Sequence, residues 1–229
     1  WRERERGGLH LPEFTLLEWY HSGIDYRMLM EECEALIQTV AISVGLGEKI
    51  IFHDHVIDLT RPWERISVKE AFKHYSQTTF TEALKRQLFD EVMVKDIEPH
   101  LGIGKPTFIY DYPAERGSLA RLREDDQSLA ERFEFYIGGL ELANGFSELI
   151  DIEEQGKRFN EENDARRLLG KPIYPMPEKF LTELEDMPQS AGIALGVDRL
   201  VMFFLNAPSI DEVVAFTRLP QAGGNDIKG

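Results

Sequence analysis

Glu131-Arg-Phe-Glu-Phe-Tyr-Ile-Gly-Gly-Leu-Glu-Leu-Ala-Asn-Gly-Phe-Ser-Glu148 is the stretch on which the fold turns. Gly138-Gly139 stands between two apolar runs, the pattern of a two-residue hairpin loop whose central residues need positive φ. With these glycines as the loop, Tyr136 lies opposite Glu141 and Glu134 lies opposite Ala143. Glu134 and Glu141 then share a face as diagonal neighbours, about 7–8 Å apart at Cα. Two carboxylates at that separation repel unless a cation sits between them, and Mg²⁺ held by a few carboxylates plus substrate phosphates fits. The plainer alternative is an exposed hairpin face with scattered acids. Asn144-Gly145 is expected to bend the chain so that Glu148 reaches the same cavity, where a carboxylate can receive an ammonium group.

Outward from the hairpin, residues 13–20 (Glu-Phe-Thr-Leu-Leu-Glu-Trp-Tyr) are aromatic-rich and β-compatible. Asp25 offers an N-cap to a helix whose apolar stripe reads Leu29, Cys33, Leu36, Val40 and Val44, ended by Gly45 and Gly47. Residues 50–58 read as one short strand, and Ser67 with Glu70 forms a capping box. The stretch 76–100 is weakly periodic, as expected of short helices and loop, and Pro106–Tyr112 returns to strand character. Asp151 caps a polar helix reaching about Leu169, followed by Gly170 and a loop with Pro172, Pro175 and Pro177. A Gly-punctuated strand at 192–197, a helix from Asp198 and a capping box at Ser209 and Glu212 close the pattern. Strands alternate irregularly with helices rather than as a βαβ repeat, so the fold class expected is α+β.

The 229 residues, 42% hydrophobic and 29% charged, suffice for one large domain with a buried core. No window holds the roughly 18–20 uninterrupted apolar residues of a membrane span. The single cysteine, Cys33, excludes an internal disulfide and a multi-cysteine metal site, so a cytoplasmic setting is expected. A formal charge of −15 repels phosphate backbones and leans against tRNA; it describes either a solvated acidic surface or a surface for a basic partner that is not nucleic acid. The chain opens on Trp1 and its first residues read as the middle of a sheet, so an upstream segment is expected.

Two further constellations carry chemistry. In Gly192-Ile-Ala-Leu-Gly-Val-Asp-Arg199, small residues at 192, 194 and 196 leave one strand face without bulk, open to something planar or chain-like. Arg199 follows in the first turn of the next helix, where a guanidinium can stack on a ring or meet a phosphate. Close strand–helix packing explains the same pattern. The opening Trp1-Arg2-Glu3-Arg4-Glu5-Arg6, then His10-Leu11-Pro12-Glu13-Phe14-Thr15, offers phosphate contacts and a stacking ring, although alternating Arg and Glu also describes a solvated ladder. Two motifs are discounted: His53-Asp54-His55, with two histidines on one strand face, and Gly102-Ile-Gly-Lys105, which lacks the spacing and hydroxyl of a P-loop.

Arg2 through Glu18 resembles motif 2 of the class II aminoacyl-tRNA synthetases, and Gly192–Arg199 resembles their motif 3. Glu141-Leu-Ala-Asn-Gly-Phe-Ser-Glu-Leu149 resembles the acidic strand of the lysine-specific branch. Within that branch the sequence is most similar to the elongation factor P–(R)-β-lysine ligase family. Phe14-Thr-Leu-Leu-Glu-Trp-Tyr20 matches that family's motif 2, and Ala194 stands where lysyl-tRNA synthetases usually carry Gly. The sequence departs from the wider pattern at Trp1, Arg4 and Leu11, the last in place of an Asn. Motif 1 would lie upstream.

The resemblance implies one catalytic domain over residues 1–229, built on an antiparallel sheet flanked by helices, acting as a homodimer with ATP and Mg²⁺. It implies that Arg2 contacts the α-phosphate and substrate carboxylate, that His10 lies near the outer phosphates, and that Phe14 and Arg199 enclose adenine. Arg2 and Arg199 would be the catalytic pair. Leu142 and Gly196 would lie against the nucleotide, while Glu134 and Glu141 would hold the metal. Glu18, Tyr20, Asn144, Glu148 and Ala194 would line the amino-acid pocket, Glu148 pairing the ε-ammonium. The activity implied is formation of a lysyl or (R)-β-lysyl adenylate and transfer to a lysine of elongation factor P. The alternatives are the core of a lysyl-tRNA synthetase and a synthetase-like binding module without catalysis.

Overall fold

The computed structural model describes residues 6–216. In chain order its strands and α-helices are β1 (Leu16–Ser22), α1 (Tyr26–Ser43), β2 (Lys49–Phe52), β3 (His55–Asp58), β4 (Glu64–Ser67), α2 (Val68–Tyr75), α3 (Phe80–Lys85), α4 (Phe89–Val92), β5 (Thr107–Pro113), β6 (Leu129–Ile137), β7 (Leu140–Ser147), α5 (Ile152–Leu168), α6 (Glu178–Glu183), β8 (Ser190–Gly196) and α7 (Val197–Phe204). Six strands form one sheet in the order β1-β8-β7-β6-β5-β4, while β2 and β3 pair separately. Every neighbouring pair in the large sheet is antiparallel except β4 with β5. The expected α+β class, an antiparallel sheet flanked by helices, is the observed one.

The hairpin closes where expected, with Gly138 and Gly139 at φ +59° and +76°. Its register differs from the expectation one step further on. Tyr136 does pair with Glu141, but Phe135 pairs with Ala143 and Glu134 with Asn144, not with Ala143. Leu142 is the extra residue of a β-bulge, and both Leu142 and Ala143 turn into the core behind the sheet. Without the bulge, Glu141 and Asn144, three apart, would face opposite ways; the inserted residue puts both on the front. Nor does Asn144-Gly145 bend the chain. β7 runs straight through it, because Gly145 lies under the Phe133 ring, where an added Cβ would sit 2.5 Å from the ring edge. Glu148 follows Asn144 and Phe146 on the front by simple alternation.

Three smaller expectations are corrected. Residues 50–58 are a hairpin, not one strand: His53 (φ +52°) and Asp54 make its turn, so the two histidines do not share a strand face. The buried face of α1 is Tyr26, Leu29, Met30, Cys33, Ile37 and Ala41; Leu36 and Val40 flank it, and Val44, beyond the helix, is 61% exposed. Ser209 accepts from Asp211 N and caps only a single 3₁₀ turn, Ile210–Glu212. The Asp25, Ser67 and Asp151 caps are all formed.

Two apolar clusters flank the sheet unequally. Behind it, Phe108, Phe133, Phe135, Ile193 and Leu195 pack against α1, the β2–β3 hairpin and α7, with Trp63 stacked on Phe135 at 5.1 Å. In front, Ile109, Tyr112 and Tyr136 pack under α2, α3 and α4 (Phe72, Ala83, Phe89, Val92). That front cover stops at β6. The front of β6, β7, β8 and β1 beyond it carries the polar residues of the candidate site. None of the helices among the described residues is long and apolar enough to cross a membrane.

Candidate active site

Strand pairing alone assembles the site. Leu16, Glu18 and Tyr20 on β1 stand opposite Gly196, Ala194 and Gly192 on β8. Ala194 and Gly192 in turn stand opposite Asn144 and Phe146 on β7, and Asn144 stands opposite Glu134 on β6. Alternation therefore sets one row of side chains facing forward across four strands, over a floor that is glycine and alanine along β8. The small floor is needed at one end. A Cβ at Gly192 would lie 2.6 Å from both Glu148 Oε1 and the Tyr20 ring. At Gly196 the nearest neighbours of a Cβ, the Leu142 carbonyl and Arg199 Cβ, stand off at 3.6 and 3.9 Å, so the space above it is open to a ligand.

Two adjoining cavities share Asn144 and Ala194. The first, about 200 Å³, is lined by His10, Leu11, Phe14, Glu141, Leu142, Gly196 and Arg199. Arg199 is held by three contacts: Nη1 donates to the Glu141 carbonyl at 2.6 Å, Nε to the Leu9 carbonyl at 3.3 Å, and Nη2 to His10 Nε2 at 2.6 Å. The segment carrying Phe14 is tied to the same helix, since Thr15 N donates to the Asp198 carboxylate at 2.7 Å and Val197 N to the Thr15 carbonyl at 3.0 Å. Leu11 is 5% exposed and joins the core, so the departure from Asn trades a polar side chain for packing beneath the cavity. Arg2 lies outside the described residues, as do Trp1 and Arg4.

The second cavity, about 230 Å³, is lined by Glu18, Tyr20, Ser118, Arg132, Asn144, Phe146, Glu148 and Gly192. Burial pushes the Glu148 carboxyl up to about 7. Among the described residues no cation or hydrogen-bond donor is paired with it, which is the condition of an acid awaiting a positively charged ligand. The Tyr20 hydroxyl is raised by burial and then by the charges of Glu148 and Glu18, which marks the three as neighbours.

Glu134 and Glu141 meet as expected, through the bulge rather than through simple diagonal pairing. Burial, and next the Glu134 charge, raise the Glu141 carboxyl; Arg199, at 3.7 Å, opposes that rise. Glu134 is already engaged, accepting from Arg132 Nη2 at 2.6 Å and from the Tyr136 hydroxyl at 2.9 Å. No group of three His, Cys, Asp or Glu among the described residues could hold a metal unaided. The donor set is two carboxylates, one destabilised by the other, and suits a cation that brings phosphate oxygens with it.

Arg132 was not singled out from sequence, yet it ties the site together. It donates to the Asn144 side chain at 3.4 Å, to Glu134 and to the Arg116 carbonyl at 2.6 Å, and lies over the Tyr112 ring at 4.4 Å. Its position two before Glu134 on the same strand was the available signal. Ser118 and Phe146 were also missed; Ser118 arrives from a loop that no periodicity marks. Trp19, by contrast, faces away from the cavity and donates to Glu32 on α1 at 3.3 Å. Gly102 belongs to a turn under the β6–β7 loop, where a Cβ would meet Ile137 backbone at 2.6 Å, in keeping with its dismissal as a phosphate loop.

Residues 1–220 match the family of class II tRNA synthetases (D, K and N). The chain is 40% identical over 221 residues to an elongation factor P–(R)-β-lysine ligase of Proteus mirabilis, covering 94% of this chain and 68% of that protein. Proteins of the same name from Photorhabdus laumondii and Salmonella typhi are likewise 40% identical over 222 residues, again covering 94% of this chain and 68% of theirs.

Proposed function

We propose, since the chain belongs to the class II tRNA synthetase family (D, K and N), that it is an ATP-dependent ligase which activates lysine or (R)-β-lysine and transfers it to a lysine side chain of elongation factor P. The observation that carries this reading is Glu148, a half-buried carboxylate with no protein partner among the described residues, in a pocket that adjoins the cavity lined by Phe14 and Arg199. An ammonium group is the complement of that acid.

In the first step a carboxylate oxygen of the amino acid attacks the ATP α-phosphorus; the new P–O bond forms as the bond to pyrophosphate breaks. The chain's contribution is placement and charge. Glu148 fixes the far ammonium, with Tyr20 and Glu18 beside it, and the narrow floor at Ala194 sets where the reacting end lies. Phe14 and Arg199 enclose the base, His10 stands at the outer phosphates, and Gly196 leaves room for the nucleotide. Arg2 serves the α-phosphate. Glu134 and Glu141 would hold Mg²⁺ with ATP, and the ion would supply charge neutralisation at the phosphates. In the second step the acceptor amine attacks the adenylate carbonyl carbon; the C–N bond forms and AMP departs with the electron pair of the broken C–O bond.

A homodimer working in the cytoplasm is part of this reading, supported by the exposed cross-strand pair Ile51 and Val56 and by the free, buried Cys33. The test offers ATP, Mg²⁺ and labelled lysine or (R)-β-lysine, with elongation factor P and total tRNA as acceptors in separate reactions. Label in the protein is the expected outcome. Label in tRNA would make the chain a lysyl-tRNA synthetase core, and the absence of ATP–pyrophosphate exchange with either isomer would make it a binding module.

A further inference from the structure

Asn144 lines both substrate cavities, and Glu134, opposite it on β6, is one of the two carboxylates proposed to hold Mg²⁺. One guanidinium holds both side chains. Arg132 Nε donates to Asn144 Oδ1 at 3.4 Å, and its Nη2 donates to Glu134 Oε1 at 2.6 Å. A planar amide that accepts through Oδ1 presents Nδ2 on its other branch, and Asn144 Nδ2 has no partner among the described residues. Arg132 is itself fixed: Nη1 donates to the Arg116 carbonyl at 2.6 Å, and the guanidinium carbon lies 4.4 Å from the centre of the Tyr112 ring. Arg116 in turn grips both Asp90 oxygens on α4, at 3.0 and 2.9 Å. The second Glu134 oxygen accepts from the buried Tyr136 hydroxyl at 2.9 Å, so this carboxylate is set from two sides. Each of its oxygens keeps a lone pair for a metal.

We propose that Arg132 is a positioning residue for both halves of the site: it turns Asn144 so that Nδ2 donates to the amino-acid carboxylate, and it holds Glu134 where Mg²⁺ with ATP would meet it. The proposal rests on the ligase reading above. The carboxylate is the reacting group of the amino acid, so a shared donor keeps the amide that receives it in register with the acid that holds the metal. The fork, not the charge, is what the arrangement uses. A role limited to neutralising Glu134 would be met as well by Lys, whose single nitrogen cannot reach three acceptors spread around a guanidinium. A role limited to the metal side would be shared with Tyr136.

The test uses the full-length protein and one substrate at a time. Affinity for lysine and (R)-β-lysine is measured by calorimetry without nucleotide, and ATP binding is titrated against Mg²⁺ without amino acid. Arg132→Lys is expected to weaken amino-acid binding and to raise the Mg²⁺ concentration needed for tight ATP binding, each by about tenfold. Tyr136→Phe, which removes only the other bond to Glu134, is expected to shift the Mg²⁺ dependence while amino-acid affinity stays within about twofold of wild type. The proposal is overturned by an Arg132→Lys variant that moves one affinity or neither, and by a Tyr136→Phe variant that moves both. Arg132→Gln is expected to behave as Arg132→Lys does; loss of the folded state in both, read by thermal melts, makes Arg132 a structural residue and overturns the proposal equally. Failure of the wild type to bind either isomer defeats the ligase reading instead.

Discussion

At the residue scale, the amino-acid pocket depends on what is missing at position 192. Gly192→Ala sets a methyl 2.6 Å from the ends of Glu148 and Tyr20, two side chains that can swing away, so the fold survives and the pocket does not. Its expected effect is a rise of at least about tenfold in KM for the amino acid, with KM for ATP unchanged and stability within about 1 kcal/mol of wild type. Steady-state exchange kinetics and thermal melts check the two halves. Glu148 gives a pH signature. Its folded value of about 7 lies above the ordinary carboxylate value of 4.5, so ionising it costs stability as pH rises from about 4.5 to 7. Glu148→Gln keeps the neutral shape. In the ligand-free protein it is expected to raise Tm relative to wild type at pH 8 and to have little effect near pH 4.5. It should also abolish lysine binding, and a wild type that binds lysine is expected to lose affinity as pH falls below about 7.

At the element scale, the β6–β7 hairpin separates what sequence reveals from what it conceals. Its turn was legible because Gly138-Gly139 announces its own backbone geometry. Gly139→Ala is expected to cost about 1–2 kcal/mol for its left-handed backbone, whereas Gly138→Ala adds a methyl 2.5 Å from the buried Phe52 ring and should cost more. Denaturant unfolding of the two variants measures the difference. The bulge at Leu142 was not legible, because it arises where Leu142 and Ala143 both find places in the core behind the sheet, a tertiary preference absent from alternation. Likewise the capped helices could be read from Asp25, Ser67 and Asp151. The turn at His53-Asp54 could not, because neither residue is a glycine and the flanking apolar residues continue a strand pattern. The candidate site was largely legible through its resemblance; Arg132 and Ser118 were not, one hidden among structural arginines and the other on a loop.

At the scale of the whole molecule, the net charge of −15 sets how partners arrive. Transfer to a basic acceptor is expected to slow as salt rises from about 50 to 300 mM, with pyrophosphate exchange far less affected, because encounter of oppositely charged surfaces is screened over roughly 8–10 Å at physiological ionic strength. The unequal covering of the sheet bears on motion as well as binding. β5 is packed on both faces, whereas β7 and β8 have a core on one face and the substrate site on the other, and β1 meets the core only through Trp19. In the ligand-free protein the amides of β1 and β8 should therefore exchange with deuterium sooner than those of β5, and ATP with lysine should slow β1 and β8 most. The bound substrates act as the layer this half of the sheet otherwise lacks, so part of the enzyme's tertiary structure is supplied by the molecules it consumes.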